Sequence, residues 1–115
     1  MSIQRINPGP RMSQAVVFGN MVYLAGQVGS VGETPAEQTK TILANIDALL
    51  AEAGTSKSSV LKAEIWLSDM SHFAAMNEIW DAWIDPANPP ARACGESKLA
   101  TPDFDVEIMI TAAKL

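Results

Sequence analysis

Histidine, cysteine and tyrosine occur once each in this 115-residue chain, as His72, Cys94 and Tyr23, and basic residues are outnumbered by acidic ones, 8 against 13. Each scarcity removes a class of function. A single cysteine excludes an intrachain disulfide framework and favours a reducing compartment, so a cytoplasmic location is expected. One histidine, with no second one and no cluster of cysteines or carboxylates at ligand spacing, gives no support to a protein-built metal site. The formal net charge of -5 opposes a polyphosphate partner unless basic residues cluster, and no such cluster is present. No apolar run approaches the roughly 20 residues that span a bilayer, and the opening MSIQRINPGPRMSQ lacks the basic-then-apolar layout of a signal peptide. Gly26, Gly29 and Gly32 do not match the dinucleotide fingerprint, no parallel βαβ context is predicted around them, and no Walker motif occurs. No nucleic-acid or membrane partner and no cofactor is expected.

What remains is a chain with 48% hydrophobic residues, no low-complexity tract and no linker, which fits one compact domain over 1–115. QAVVFGNMVYLAG from Gln14 to Gly26 is two apolar runs split by Gly19-Asn20, a two-residue hairpin signal that predicts strands at 14–18 and 21–26. Thr34-Pro35-Ala36-Glu37 then supplies an N-cap, a proline at the first helical position and a capping-box glutamate. Ile42, Leu43, Ile46, Leu49, Leu50 and Ala53 form one helical face before Gly54, so a helix is predicted over 35–53.

VLKAEIWL over 60–67 alternates as a strand, with Leu61, Ala63, Ile65 and Leu67 on one side and Lys62, Glu64 and Trp66 on the other. Phe73, Met76, Trp80 and Trp83 recur at helical spacing behind possible caps at Asp69 or Ser71, and prolines at 86, 89 and 90 end a helix predicted over 71–84. That stripe reads as core rather than as a cofactor box. ARACGE and DVEIMITAA complete the order β, β, α, β, α, β, β, with a weakly marked further strand at Ile3 to Ile6. Two helices cover one face of such a sheet, yet the strands are apolar on both faces, which predicts self-association.

Few residues can carry chemistry. Arg92 lies on a predicted strand entered from two prolines, sharing a side with Cys94 and Glu96. Its planar fork suits a carboxylate held by two parallel charge-assisted bonds, while an exposed arginine or an interface ion pair is the competing reading. Cys94 reads as a pocket-lining thiol rather than a nucleophile, since the one histidine is distant in sequence. Glu107 points away from Val106, Ile108 and Ile110, and an antiparallel pairing of the last two strands would bring it near the Arg92 face, where a carboxylate can hold a water. The alternative is a solvent-facing or arginine-paired glutamate. Asn77 is either a polar-face helix residue or a hydrogen-bonder in a site.

With these residues in view, the chain resembles the reactive-intermediate deaminase (Rid, or YjgF) family over nearly its full length. The matching segments are SQAVVFGNMVYLAGQV at 13–28, EQTKTILANIDALLAEAG at 37–54, WLSDMSHFAAMNEIWDAW at 66–83, PARAC at 90–94 and VEI at 106–108. The resemblance implies an α+β, chorismate-mutase-like fold: a mixed β-sheet with two helices on one face, assembled as a homotrimer with pockets between subunits. It further implies cofactor-free hydrolysis of reactive enamines and imines, such as 2-aminoacrylate and 2-imino acids, to 2-keto acids and ammonia. Arg92 then matches the arginine that pairs with the substrate carboxylate, Glu107 the glutamate that orients water, Cys94 a pocket thiol, Asn77 a polar pocket residue, and Gly26 the glycine whose backbone lines the pocket. Two departures stand out: Met12 replaces a tyrosine of those members, and Ala25 replaces the serine of their SGQ motif. A non-catalytic trimer binding a small carboxylate is the alternative, and an endoribonuclease or translation inhibitor, another description the family carries, is opposed by the acidic balance.

Overall fold

A computed structural model describes residues 2–115. The strands are β1 (Ile3–Ile6), β2 (Ala15–Phe18), β3 (Met21–Leu24), β4 (Gln27–Val28), β5 (Val60–Leu67), β6 (Ala91–Glu96) and β7 (Val106–Ala113), and the helices are α1 (Pro35–Glu52) and α2 (Phe73–Trp83). They form one mixed sheet in the order β1-β2-β3-β7-β5-β6, with β4 also on β7, and both helices lie against one face.

Local chemistry sets most of these elements. Gly19 takes a φ of 61° in the two-residue turn that pairs Phe18 with Met21, a conformation in which a side chain is strained. At the start of α1 the Thr34 hydroxyl accepts from the Glu37 N–H at 3.2 Å while the Glu37 carboxylate accepts from the Thr34 N–H at 2.9 Å, closing the predicted capping box. The helix ends at Glu52 with Ala53 as its cap, one residue before the predicted end. Helix α2 starts two residues late, because a single 3-10 turn at Met70–His72, capped by the Asp69 carboxylate on the Ser71 N–H at 2.8 Å, takes up its predicted first turn. The weakly marked strand at Ile3–Ile6 is present and pairs with β2.

Three expectations are corrected. The second hairpin strand stops at Leu24 rather than 26: Tyr23 pairs with Thr111 and Gln27 with Ile108, so one extra residue is accommodated around Ala25-Gly26 as a bulge. In β5 the alternation is broken by a second bulge between Val60 and Lys62, which buries Val60 and leaves Leu61 48% exposed instead of in the core. The last two strands are not neighbours. β6 pairs parallel to β5 and β7 pairs antiparallel to the other edge of β5, so β5-α2-β6 is a parallel crossover, in a segment that does not include Gly26, Gly29 or Gly32.

The core lies between sheet and helices, with Val22, Ile42, Ile46, Leu50, Ala63, Ile65, Leu67, Met76, Val106 and Ile108 buried. The opposite face of the sheet is open and apolar, presenting Phe18, Tyr23 and Trp66 to solvent, as the two-sided strand pattern predicts. Within the core, fully buried Gln38 of α1 ties the helix to the entry of β7. Its amide donates to the carbonyls of Glu33 at 3.0 Å and Asp103 at 3.1 Å, and its oxygen accepts from the N–H of Asp105 at 2.8 Å and of Val106 at 3.3 Å. Gln38→Leu keeps the volume but orphans these backbone groups, so a loss of about 3 kcal/mol is expected in urea unfolding, seen as a lower midpoint at unchanged slope.

Candidate functional site

Arg92 sits in β6, the edge strand, opposite Ala63 of β5. Paired residues in a ladder point to the same face, and Ala63 is buried under the helices, so Arg92, Cys94 and Glu96 project to the helix side. There α2 receives the guanidinium. Nη1 donates to Oδ1 of Asn77 at 2.7 Å, and the Cζ atom lies 5.4 Å from the Trp80 ring centroid and 5.9 Å from that of Phe73. Phe73, Asn77 and Trp80 stand at i, i+4 and i+7, one helix stripe. One amide and two aromatic faces therefore hold the fork while Arg92 itself stays exposed at the sheet edge. Asn77, which the residues alone left undecided, is an arginine partner.

Cys94 is half-buried next to Arg92, packed against the core and lining a surface depression of about 550 Å³ with Trp66, Gly95 and Glu96. Burial pushes its thiol up, against a smaller opposing pull from Arg92, which disfavours the thiolate a nucleophile needs. His72 is engaged elsewhere, its Nε2 lying 3.6 Å from Oδ1 of Asp105, which also accepts from the Ser68 hydroxyl at 2.7 Å. Among the described residues no group of three or more His, Cys, Asp or Glu side chains is arranged around a metal position.

Glu107 pairs with Trp66 of β5 and Val28 of β4 on the open face. It rests on the backbone of Gly26: a Cβ built there would collide with Glu107 Oε2 and come within 3.0 Å of its carboxyl carbon. No salt bridge reaches it among the described residues, and burial pushes its carboxyl pKa up from the usual value. An unpaired, partly buried carboxylate beside a glycine backbone is a candidate acid/base.

These residues form two groups rather than one. Arg92, Asn77 and Cys94 lie on the helix side of the edge strand, whereas Gly26 and Glu107 lie on the open face. The expectation that the last two strands bring Glu107 to the Arg92 face is overturned: Arg92 aligns with buried Ala63, Glu107 aligns with exposed Trp66 on the opposite face, and β5 lies between their strands. Two strand spacings and three residues of rise separate the Cα atoms by about 14 Å within one chain. Sequence reasoning missed Trp80 and Phe73 as arginine partners, having assigned both to core, although their spacing around Asn77 carried the signal. It also passed over Trp66, 39% exposed beside Glu107.

The sequence and the fold find counterparts in known proteins. The sequence profile of the endoribonuclease L-PSP family matches residues 2–114. A RutC family protein of Haemophilus influenzae is 46% identical over 97% of this chain and 98% of its own length, and the RutC family protein YoaB of Escherichia coli K12 is 42% identical over 98% and 99%. A crystal structure of a YjgF family member from Neisseria meningitidis superposes with a TM-score of 0.97 at 49% identity, covering 100% of this chain and 97% of that one. The fold and these matches define a class of small α+β proteins with two helices on a mixed sheet. The chain belongs to the YjgF/L-PSP family, as its resemblance to Rid proteins indicates.

Because burial raises the Glu107 pKa, the folded state binds a proton more tightly than the unfolded chain does, and Glu107 makes the protein less stable as pH rises through that range. Glu107→Gln is therefore expected to raise the thermal midpoint at pH 7, with the gain vanishing below about pH 4, where both states carry the proton. A variant no more stable than wild type at pH 7 would show that the carboxylate is solvated or paired.

Proposed function

We propose that this protein is a cofactor-free deaminase that hydrolyses small 2-imino acids and enamines such as 2-aminoacrylate to 2-keto acids and ammonia. It acts as a homotrimer of chorismate-mutase-like subunits, with pockets between subunits. The observation that carries the reading is the split of the candidate residues into an Arg92 group at the sheet edge and a Glu107 group on the open face. Neither suffices alone. Facing each other across a subunit boundary, they supply a carboxylate clamp and a water-holding acid/base to one small anion. The apolar open face gives the subunits a reason to associate.

In such a pocket the part of the Arg92 fork not bound to Asn77 holds the substrate carboxylate through charge-assisted bonds. Glu107 orients a water toward the imine carbon and takes its proton as the C–O bond forms. The same carboxyl returns that proton to nitrogen to give the carbinolamine, then takes its hydroxyl proton and passes it to the amino group, so that the C–N bond breaks, the C=O bond forms and ammonia leaves. A carboxyl pKa raised by burial suits a group that must both accept and donate. An imine carbon is already electrophilic, so the reaction requires no cofactor. Gly26 brings backbone rather than side chain against the reacting centre, and Cys94 lines the wall. Met12 and Ala25 make that wall more apolar than the tyrosine and serine they replace. An RNA substrate finds no partner in this chemistry, since a phosphate backbone needs a basic groove with stacking aromatics and the chain carries a net charge of -5.

The test is ammonia release from an imine generated in situ by an amino-acid oxidase. Arg92→Lys, which keeps the charge and loses the fork, is expected to lower kcat/KM roughly tenfold to a hundredfold. Glu107→Gln is expected to lower kcat with little change in binding. Co-refolding equal amounts of the two variants is expected to restore about a quarter of wild-type activity, because one subunit order in four rebuilds an intact boundary. No restoration would place both residues in one subunit's site. Keto-acid binding through Arg92 without turnover would replace the enzyme by a carboxylate-binding trimer.

A further inference from the structure

The bulge between β3 and β4 is held from the helix side by the side chain of Gln27. Gln27 is 7% exposed, one of few buried polar residues, and its amide nitrogen donates both to Oε1 of Gln14 at 3.0 Å and to the carbonyl of Ala25 at 3.1 Å. Gln14 grips the same residue a second time, its own carbonyl accepting from the Ala25 N–H at 2.9 Å. Both backbone polar groups of Ala25 are thereby engaged, its N–H by the Gln14 carbonyl and its carbonyl by the Gln27 amide. No cis peptide occurs among the described residues, so the N–H of Gly26, which belongs to the same peptide plane as the Ala25 carbonyl, points the opposite way. The Glu107 carboxylate lies over Gly26, close to where a side chain at that position would begin.

We infer that Gln27 is a positioning residue for Glu107: its carboxamide clamps the Ala25-Gly26 bulge from beneath, and that bulge is the surface on which the carboxylate rests. The clamp needs a donor long enough to reach back two residues while buried, and glutamine meets both conditions. A bulge carries an unpaired residue and is locally free to relax, so without the clamp the peptide plane turns and Glu107 loses its backing. Ala25 brings no hydroxyl of its own, which leaves the backbone hold to Gln14 and Gln27. Glu107 shares its face with few other ionisable groups on the adjoining strands. These are Tyr23 of β3 and Lys62 and Glu64 of β5, and Lys62 is bound to Glu64 at 2.9 Å.

The inference rests on the proposed role of Glu107, but its test does not require turnover. Gln27→Met preserves length and burial and removes the donor. In the full-length protein, carbon-detected NMR titration of the Glu107 carboxyl is expected to show a midpoint moved down toward the ordinary glutamate range as the carboxylate becomes solvated. In the imine assay kcat is expected to fall roughly tenfold to a hundredfold, as misplaced catalytic groups do. Pyruvate affinity should stay within about twofold, since the carboxylate clamp belongs to the Arg92 group. Gln14→Ala, which leaves the Ala25 contact and removes the outer partner, is expected to shift the titration in the same direction by less, and it decides the matter should Gln27→Met fail to fold. A Glu107 titration identical to wild type in the folded variants would overturn the inference, whatever happens to kcat. If wild type lacks deaminase activity but the titration moves, the functional reading fails and the positioning role stands.

Discussion

Helix α2 carries the chain back across the sheet before it re-enters as β6, and that crossover makes β6 parallel to β5 and leaves it at the edge. Everything about the candidate site depends on this pairing. It aligns Arg92 with buried Ala63 and so turns the guanidinium under the helices, where Asn77 and Trp80 wait on the helix that made the crossover. It also interposes β5 between β6 and β7, so that Glu107, on the open face by its alternation with buried Val106 and Ile108, lies beside Trp66. An antiparallel hairpin of the same two segments would have placed both charges on adjacent strands, with an ion pair as the natural outcome. The observed topology keeps them apart and leaves both able to meet a ligand.

That separation has an electrostatic cost. A carboxylate without a cation, partly buried and pressed on a glycine, is destabilised in its charged form, and the raised Glu107 pKa expresses this. Structural carboxylates of this protein behave differently. Glu37 and Asp69 accept backbone N–H bonds at the caps of α1 and of the turn before α2, and those bonds lower their pKa values. The contrast follows the hydrogen bonds: where the fold uses a carboxylate it supplies donors, and at Glu107 it supplies none. Groups left in that state concentrate at functional sites.

The open face poses a second constraint. Phe18 at 47% exposure and Tyr23 at 48% lie on strands β2 and β3, joined by Trp66 and the half-buried Met109 on the neighbouring strands, so one sheet surface combines apolar cover with the Glu107 carboxylate. Assembly through this face, as proposed above, would both remove the apolar surface from water and bring an edge-strand Arg92 to a neighbour's Glu107. Stability and site formation would then be one event.

The sequence by itself determined the elements and the helix-side core, because capping boxes, turn glycines and apolar periodicity act over a few residues. Thr34 with Glu37, Gly19 with Asn20, and the alternation of β7 each gave the local structure found. It also singled out Arg92, Cys94, Glu107, Asn77 and Gly26 as the residues with chemistry to offer, partly through resemblance to a family. Only the tertiary structure decided which of them meet. Strand order and parallel pairing depend on contacts among residues far apart in the chain, and a single bulge changes which face a side chain takes, as at Leu61. For the same reason Gln27 and Gln38 were silent in the sequence: a glutamine shows its role only when the backbone groups it serves, remote in the chain, have been folded around it.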